Sequence, residues 1–304
     1  MLYRIAKECL QDLFESAVRL GSTSNASCLK LCHFIDQCRK SKSSALKDLA
    51  FSEETCIQLL NFYIEWTEKY QQKSSRNVLE LLATLLGTRP EGNESRVIKE
   101  RVLQHLVLII SHGASQPKVK PAFKAAECFL SKGAITVDQL AGIYMSQEPS
   151  ETSESFHSTD SMNQARKFPD DLVSETFEWI CLADISPAAG KFLVTLFKEL
   201  RKNASINCID QLSQASLWQQ WIRRGLQDHP DSLENIKRHL FPPLFRFDRD
   251  GSIEFLQELT EQRLNFNSKL ESFDADTFLW LAAMEVGKKC GLVEAIGMVE
   301  AICH

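Results

Sequence analysis

Cysteine, histidine and aspartate do much of the chemistry of proteins, and this chain groups them at three places where the spacing can be tested. Cys28-x3-Cys32-His33-x4-Cys38 has the ligand types of a zinc site. The segment reads as helix, where each residue turns ~100°, so Cys32 lies ~40° from Cys28, His33 ~140° away and Cys38 ~80° in the other sense. The rise from Cys28 to Cys38 is ~15 Å. Zinc holds all its ligands at about 2–2.3 Å, so these groups cannot share one ion. The three cysteines follow the apolar face instead and are expected as buried, reduced thiols. Phe247-Asp-Arg-Asp-Gly-Ser-Ile253 has the flavour of a calcium loop. An EF-hand needs glycine at position six and a glutamate at twelve. Counting from Asp248 puts Ile253 and Leu259 there; counting from Arg246 places Gly251 correctly but loses the first carboxylate and ends on Gln257. The segment is therefore read as a helix start, with Asp250 or Ser252 as the cap of a helix from about Ile253.

Gly87-Thr-Arg-Pro-Glu-Gly92 has the glycine spacing of a phosphate loop, but Asn93 and Glu94 follow where lysine and a hydroxyl are required. His105 and His112 stand seven apart on one helix with no acidic residue beside them. No G-x-G-x-x-G, H-E-x-x-H or G-x-S-x-G is present. The expectation is a chain with no catalytic residue, no metal, no small-molecule cofactor and no enzyme activity of its own.

The remaining chemistry is cationic. Lys118, Lys120 and Lys124 surround Pro121; Arg223 and Arg224 follow Trp218 and Trp221; Lys237, Arg238 and His239 form a third group. Aromatic side chains beside arginines can hold RNA, so Lys118, Lys120, Lys124, Arg223, Arg224, Lys237 and Arg238 are the candidate RNA contacts. The competing reading makes Trp218, Trp221 and Ile222 core and the arginines a solvated face. The formal net charge of −5 argues against a chain that grips nucleic acid unaided. RNA contact would need a local patch or a partner subunit.

The elements that must carry these residues are helices. Apolar residues recur at three- and four-residue spacing nearly throughout, as in Ile5, Leu10, Leu13, Phe14 and Val18. Helices are expected over about 53–70 with Ser52 as cap, 77–86, 96–111, 121–132 with Pro121 in its first turn and Gly133 ending it, 187–202, 206–226, 231–241, 252–264, 275–290 and from Leu292 onward. Only 21 of 304 residues are glycine or proline, and no alternating strand pattern is found. The fold class is all-α, an irregular HEAT/armadillo-like α-solenoid of stacked antiparallel helix pairs, with a helical bundle as the competing architecture. At 304 residues the chain is too long for one core of ordinary size. It is expected to form helical repeats over 1–147, a disordered acidic Ser/Thr-rich loop over 148–167 and further repeats over 168–304. Both ends carry apolar faces, which fits a piece of a longer protein, or equally a final helix docked on its neighbour. The longest apolar run, Leu106 to Ile110, is far too short to span a membrane, and the charged first turns read as helix rather than signal peptide. Ten scattered cysteines without paired spacing agree with a cytoplasmic location.

Two segments carry a family resemblance. Val119-Lys-Pro-Ala-Phe-Lys-Ala-Ala-Glu-Cys-Phe-Leu-Ser-Lys-Gly-Ala-Ile-Thr136 resembles the N-terminal region of the thyroid-adenoma-associated (THADA) family, and His239-Leu-Phe-Pro-Pro-Leu-Phe-Arg-Phe-Asp248 is similar to a region of the same family where a helix enters a proline turn. The resemblance implies a long HEAT-like scaffold without catalytic residues. In the fungal branch it implies a regulatory subunit that binds and activates a tRNA ribose 2′-O-methyltransferase acting on the anticodon loop, with tRNA engaged through the complex. The alternative is a generic HEAT-type interaction scaffold in another assembly, such as ribosome biogenesis or transport.

Overall fold

A computed structural model describes residues 1–20, 25–70, 75–88, 93–111, 116–137, 139–140, 172–203, 218–219, 221–222, 233–261 and 275–303. Among them every regular element is a helix and there is no strand. The all-α expectation is met. The chain divides into two compact units, Met1–Glu151 and Thr152–His304, and the division falls within the span expected as an acidic loop, whose residues lie outside those described.

The first unit holds α1 (Leu2–Leu20), α2 (Asn25–Lys40), α3 (Ser44–Ala50), α4 (Glu53–Tyr70), α5 (Ser75–Gly87), α6 (Asn93–Ser111) and α7 (Gln116–Ser131). Ser52 caps α4 as expected: its Oγ accepts the Thr55 N–H at 3.2 Å and donates to the Leu49 carbonyl at 2.9 Å. Glu53 and Glu54 then sit in the first turn, where the helix dipole favours negative charge. α4 is the centre of the unit. It touches α5, α6 and α7 and buries Leu59, Leu60, Phe62, Tyr63, Ile64 and Trp66. α5 packs on both α2 and α7, while α1 packs on α2 and α3. Phe14 meets Phe62 edge-on at 6.0 Å, tying α1 to α4. Gly133 stops α7 with φ of 65°, a left-handed conformation that glycine takes at little cost, and the Ala134 N–H reaches back to the Phe129 carbonyl at 2.9 Å. The start of α7 differs from the expectation. The helix begins at Gln116, so Pro117 occupies the first turn and Pro121 lies inside. The carbonyl that Pro121 fails to serve is that of Pro117, on an exposed residue at the helix mouth.

The second unit holds α8 (residues 172–180), α9 (Ser186–Asn203), α10 (residues 233–247), α11 (Arg249–Glu261), α12 (Ala275–Cys290) and α13 (Leu292–Cys303). α10 is continuous but not uniform: Leu233–Asn235 and Phe241–Phe247 are α-helical, and Ile236–Leu240 between them is π-helical. It therefore runs six residues past the expected end at Phe241. α9, α11 and α12 all pack on α10, and α13 packs on α11 and α12. Trp218, Trp221 and Ile222 are buried, with Trp221 stacked on Phe197 of α9 at 5.3 Å, so the core reading of these residues holds. The cap of α11 is Asp248, not Asp250 or Ser252. Its Oδ1 accepts the Gly251 N–H at 3.2 Å, and its Oδ2 accepts the Trp218 indole N–H at 3.0 Å. With both oxygens engaged, the aspartate serves as a structural clamp.

Two glycines in this unit are expected to answer substitution with opposite signs. A Cβ on Gly190 of α9 would lie 2.8 Å from the His239 carbonyl oxygen, a backbone atom that cannot swing away. Gly190→Ala should lower stability by about 1–3 kcal/mol. A Cβ on Gly287, inside α12, would meet the Ala295 Cβ at an ordinary 3.5 Å. Gly287→Ala should be neutral or raise stability by about 0.5–1 kcal/mol. Chemical denaturation of both variants measures the contrast, and equal effects would reject this account of the α9–α10 contact.

Candidate functional site

α7 presents the first cationic group. Lys120 and Lys124 stand four residues apart on its exposed side, ~40° apart around the axis. Lys118 points elsewhere, ~160° from Lys120, and is half-buried near His105 of α6, whose pKa its charge helps to lower. Burial of the imidazole is the larger cause. His105 shares a 2.6 Å hydrogen bond with Asn61 of α4. On the same side, Arg101 of α6 pairs with Glu53 of α4 at 2.9 Å and Lys7 of α1 pairs with Glu54 at 2.6 Å. The α7 lysines therefore divide into an exposed pair and one residue that faces the α4–α6 seam.

Cys28 and Cys38 are buried and Cys32 is half-buried, so they follow the core face of α2. Cys28 and Cys32 share a hydrogen bond that draws the Cys28 thiol down and pushes the Cys32 thiol up. Cys32 and His33, with Leu13, Leu29, Phe34 and Leu81, line an open and largely apolar groove of about 830 Å³ between α1, α2 and α5. Among the described residues no three His, Cys, Asp or Glu side chains converge as a metal site would require.

The densest cluster of charge is built on α10, and proline chemistry explains it. An α-helical carbonyl at Arg238 takes its proton from residue 242 and a π-helical one from residue 243. Both are prolines and have no N–H to give. The chain widens into a π turn at this point, with the Phe241 N–H reaching back five residues to the Ile236 carbonyl. The Arg238 carbonyl is satisfied from outside by the ammonium of Lys289, at the end of α12. Next to it the thiol of Cys290 points at the Pro242 carbonyl at 3.8 Å and accepts the Arg246 Nε–H at 3.1 Å.

The same turn buries Lys237, whose relative exposure is only 3%. Its ammonium is taken by Glu234, which also pairs with Arg238 at 2.8 Å. The hydrogen bond from Lys237 is the main reason that the Glu234 carboxyl is held below its usual range. Glu285 of α12 is held low in the same way, chiefly by the 2.8 Å hydrogen bond from Lys288 and also by the charge of Lys289. His239 stands half-buried between these groups. Its burial lowers its pKa first, and the cations Lys289 and Arg238 outweigh Glu285. Of the sequence-derived contacts in this group, Arg238 faces solvent and Lys237 does not. Arg223 and Arg224 lie outside the described residues. Lys288, Lys289 and Arg246 join the cluster without any sequence signal, because they reach it through α12 and through the far end of α10.

This arrangement contains no nucleophile paired with a base. It offers a positively charged surface on a braced π turn. Comparison with protein-family models, with curated proteins and with solved structures finds no match for this chain.

Two measurements follow from the cluster. Lys289→Met removes the side-chain donor of the Arg238 carbonyl at an exposed site and should cost about 0.5–1.5 kcal/mol. In a Pro242→Ala background, where position 242 regains an N–H, the same substitution should cost less. A double-mutant cycle with a coupling below about 0.5 kcal/mol would sink the capping role. The second measurement concerns acid. His105 and His239 both titrate below the usual histidine value when folded. The unfolded chain therefore takes up protons first as pH falls below about 6.5. Their stabilising contribution is complete above that pH and is lost progressively below it. Unfolding free energies measured from pH 7.5 to 5 should decline, and the decline should be shallower in His105→Gln and His239→Gln variants.

Proposed function

We propose that this chain is a non-catalytic helical-repeat scaffold, a regulatory subunit of a tRNA ribose 2′-O-methyltransferase acting on the anticodon loop. The observation that carries the scaffold reading is the packing order in the first unit. α4 and α5 touch each other, α6 and α7 touch each other, and the second pair packs on the first through α4 with α6, α4 with α7 and α5 with α7. Packing of successive helix pairs on one another supports the repeat reading of HEAT and armadillo arrays. The tRNA reading draws on the two family-like segments. One spans most of α7 and its Gly133 stop, and the other takes in the last two residues of the π turn, His239 and Leu240, and the prolines of α10. Each carries or adjoins a cationic surface. Lys120 and Lys124 lie within the first, and the second contains the exposed Arg246 and adjoins Arg238, with Lys288 and Lys289 of α12 beside it.

The mechanism is positioning. A rigid helical stack holds the methyltransferase and its tRNA together, which raises their effective concentration and fixes their orientation. The scaffold contributes a few phosphate contacts and the enzyme contributes the chemistry. The generic interaction scaffold is the second reading, and the exposed apolar side chains of α12 and α13 favour it.

Reconstitution tests the tRNA reading. The chain alone should show no methyl transfer and weak, salt-sensitive tRNA binding, since its net charge is −5. With the methyltransferase subunit added, ribose methylation should exceed what either protein gives alone. Lys120→Glu with Lys124→Glu should weaken tRNA engagement by the complex about tenfold, a loss of about 1.4 kcal/mol. Unchanged anticodon-loop ribose methylation in cells lacking the protein would overturn the tRNA assignment and leave the generic scaffold.

A further inference from the structure

α2 opens at Asn25, so Cys28 lies in its first turn and Cys32 follows one turn later. At ~100° and ~1.5 Å per residue, the two stand ~40° apart around the axis and ~6 Å apart along it. Side chains at this spacing have Cβ atoms about 5–6 Å apart. A disulfide needs about 3.5–4.5 Å, so a regular helix cannot close one here without strain. A single atom between the two sulfurs spans the gap with the backbone unmoved, since metal–sulfur bonds are about 2.3 Å long, as zinc's are. The thiols already face one another, because they share a hydrogen bond. Cys28 is fully buried, while Cys32 opens on the groove between α1, α2 and α5.

What the pair can hold follows from its surroundings. The groove wall beside Cys32 is largely apolar, built by Leu13, Leu29, Phe34 and Leu81. Such a wall and two sulfur ligands favour a soft ion over a hard, hydrated one. Structural zinc takes four ligands. Cys38 lies ~9 Å further along α2 than Cys32, the exposed His33 ring lies 3.5 Å from the Gln37 amide, and among the described residues no third ligand converges. Two thiolates are enough for the closed-shell monovalent ion Cu(I), which accepts two sulfurs in line. Its binding is balanced by proton release: Cu(I) and two thiols give a dithiolate complex of charge minus one and two protons. No electron is transferred. The complex would sit at the positive end of the α2 dipole, where no acidic side chain occupies the first turn.

We propose that Cys28 and Cys32 form a two-coordinate site for Cu(I), entered from the groove past Cys32, with Cys28 as the ligand anchored in the core. The site is independent of the tRNA reading and of the cationic surfaces on α7 and α10.

The test titrates the full, reduced chain with Cu(I) in the absence of oxygen, in competition with the chromophoric chelator bicinchoninate. The first equivalent should bind with two sulfur ligands by X-ray absorption and should raise the thermal midpoint, as a ligand of the folded state does. Substitutions in the second shell of a metal site cost ~10–100-fold in affinity, so Cys32→Ser, which removes one of two ligands, should cost at least about a hundredfold. It should also abolish the rise in midpoint. Cys28→Ala should do the same, and the half-exposed position of Cys32 keeps the test valid if the buried substitution unfolds the chain. Cys9→Ser, at an exposed thiol of α1, should bind as the parent does. Equal affinity of the parent and Cys32→Ser would overturn the proposal, since copper would then be held by scattered thiols. A first equivalent bound through nitrogen, or a Cys28–Cys32 disulfide found by peptide mapping of the chain before reduction, would overturn it as well.

Discussion

A helix that is apolar over most of its circumference cannot be satisfied by one neighbour, and α4 is such a helix. Its buried positions, Thr55, Cys56, Leu59, Leu60, Phe62, Tyr63, Ile64 and Trp66, span far more than the stripe that a two-helix contact covers. At roughly 25 cal/mol per Å² of apolar surface, exposing that girth would be prohibitive. α4 is therefore enclosed by α5, α6 and α7 together. The arrangement of the first unit follows from this demand. Once α4 requires three partners, α5 and α7 are brought together beneath it, and α5 becomes the surface on which α2 settles. The polar contacts at the seam, Arg101 with Glu53 and His105 with Asn61, fix alignment more than they add stability.

The second unit depends on a scarcity of donors. Pro242 and Pro243 remove two successive N–H groups from the interior of α10, and the helix survives by widening and by borrowing the ammonium of Lys289. The loan orders the cations. Lys289 must reach inward, so α12 ends against α10, and Lys288, Arg238 and Arg246 come to share one surface. Gly190 completes the fit, because only a residue without a side chain allows α9 to approach the bulged His239 carbonyl. Charge, packing and backbone geometry at this place have a single origin.

The sequence made the helices legible because three-and-four spacing survives in almost every one; α4 and α12 begin and end where the pattern places them. What it hid has physical reasons. Pro121 looked like a helix opener because proline is most often found there, yet the preceding Pro117 tolerates the same role. The sequence pointed to Asp250 or Ser252 as the cap of α11, and it missed Asp248, which caps the helix while also holding the Trp218 indole thirty residues away. The tandem prolines read as the end of a helix because a π turn has no periodic signature of its own. That turn also places Lys237 inside the protein, whereas a basic triplet read from sequence alone looks like a solvated face. Exposed apolar residues on α12 and α13 were visible only as apolar faces at the chain end. Which side of each helix stayed open is a property of the partners, and a sequence does not name them.

A π turn is an α-helix holding one residue more than its hydrogen bonds require, and this gives α10 an unusual relation to length variation. Loss of a single residue within Ile236–Leu240 would not cut the helix. It would restore regular spacing and leave Phe241 to Phe247 on the faces they now occupy, because the widened turn already absorbs the extra residue. Phe241, Leu244 and Phe245 would stay buried and Arg246 would stay beside Cys290. Loss of a residue from a regular α-helical stretch would instead rotate everything beyond it by about 100° and change which face belongs to the core. Related chains that differ by one residue at this turn would thus carry the same helix with the same side turned outward.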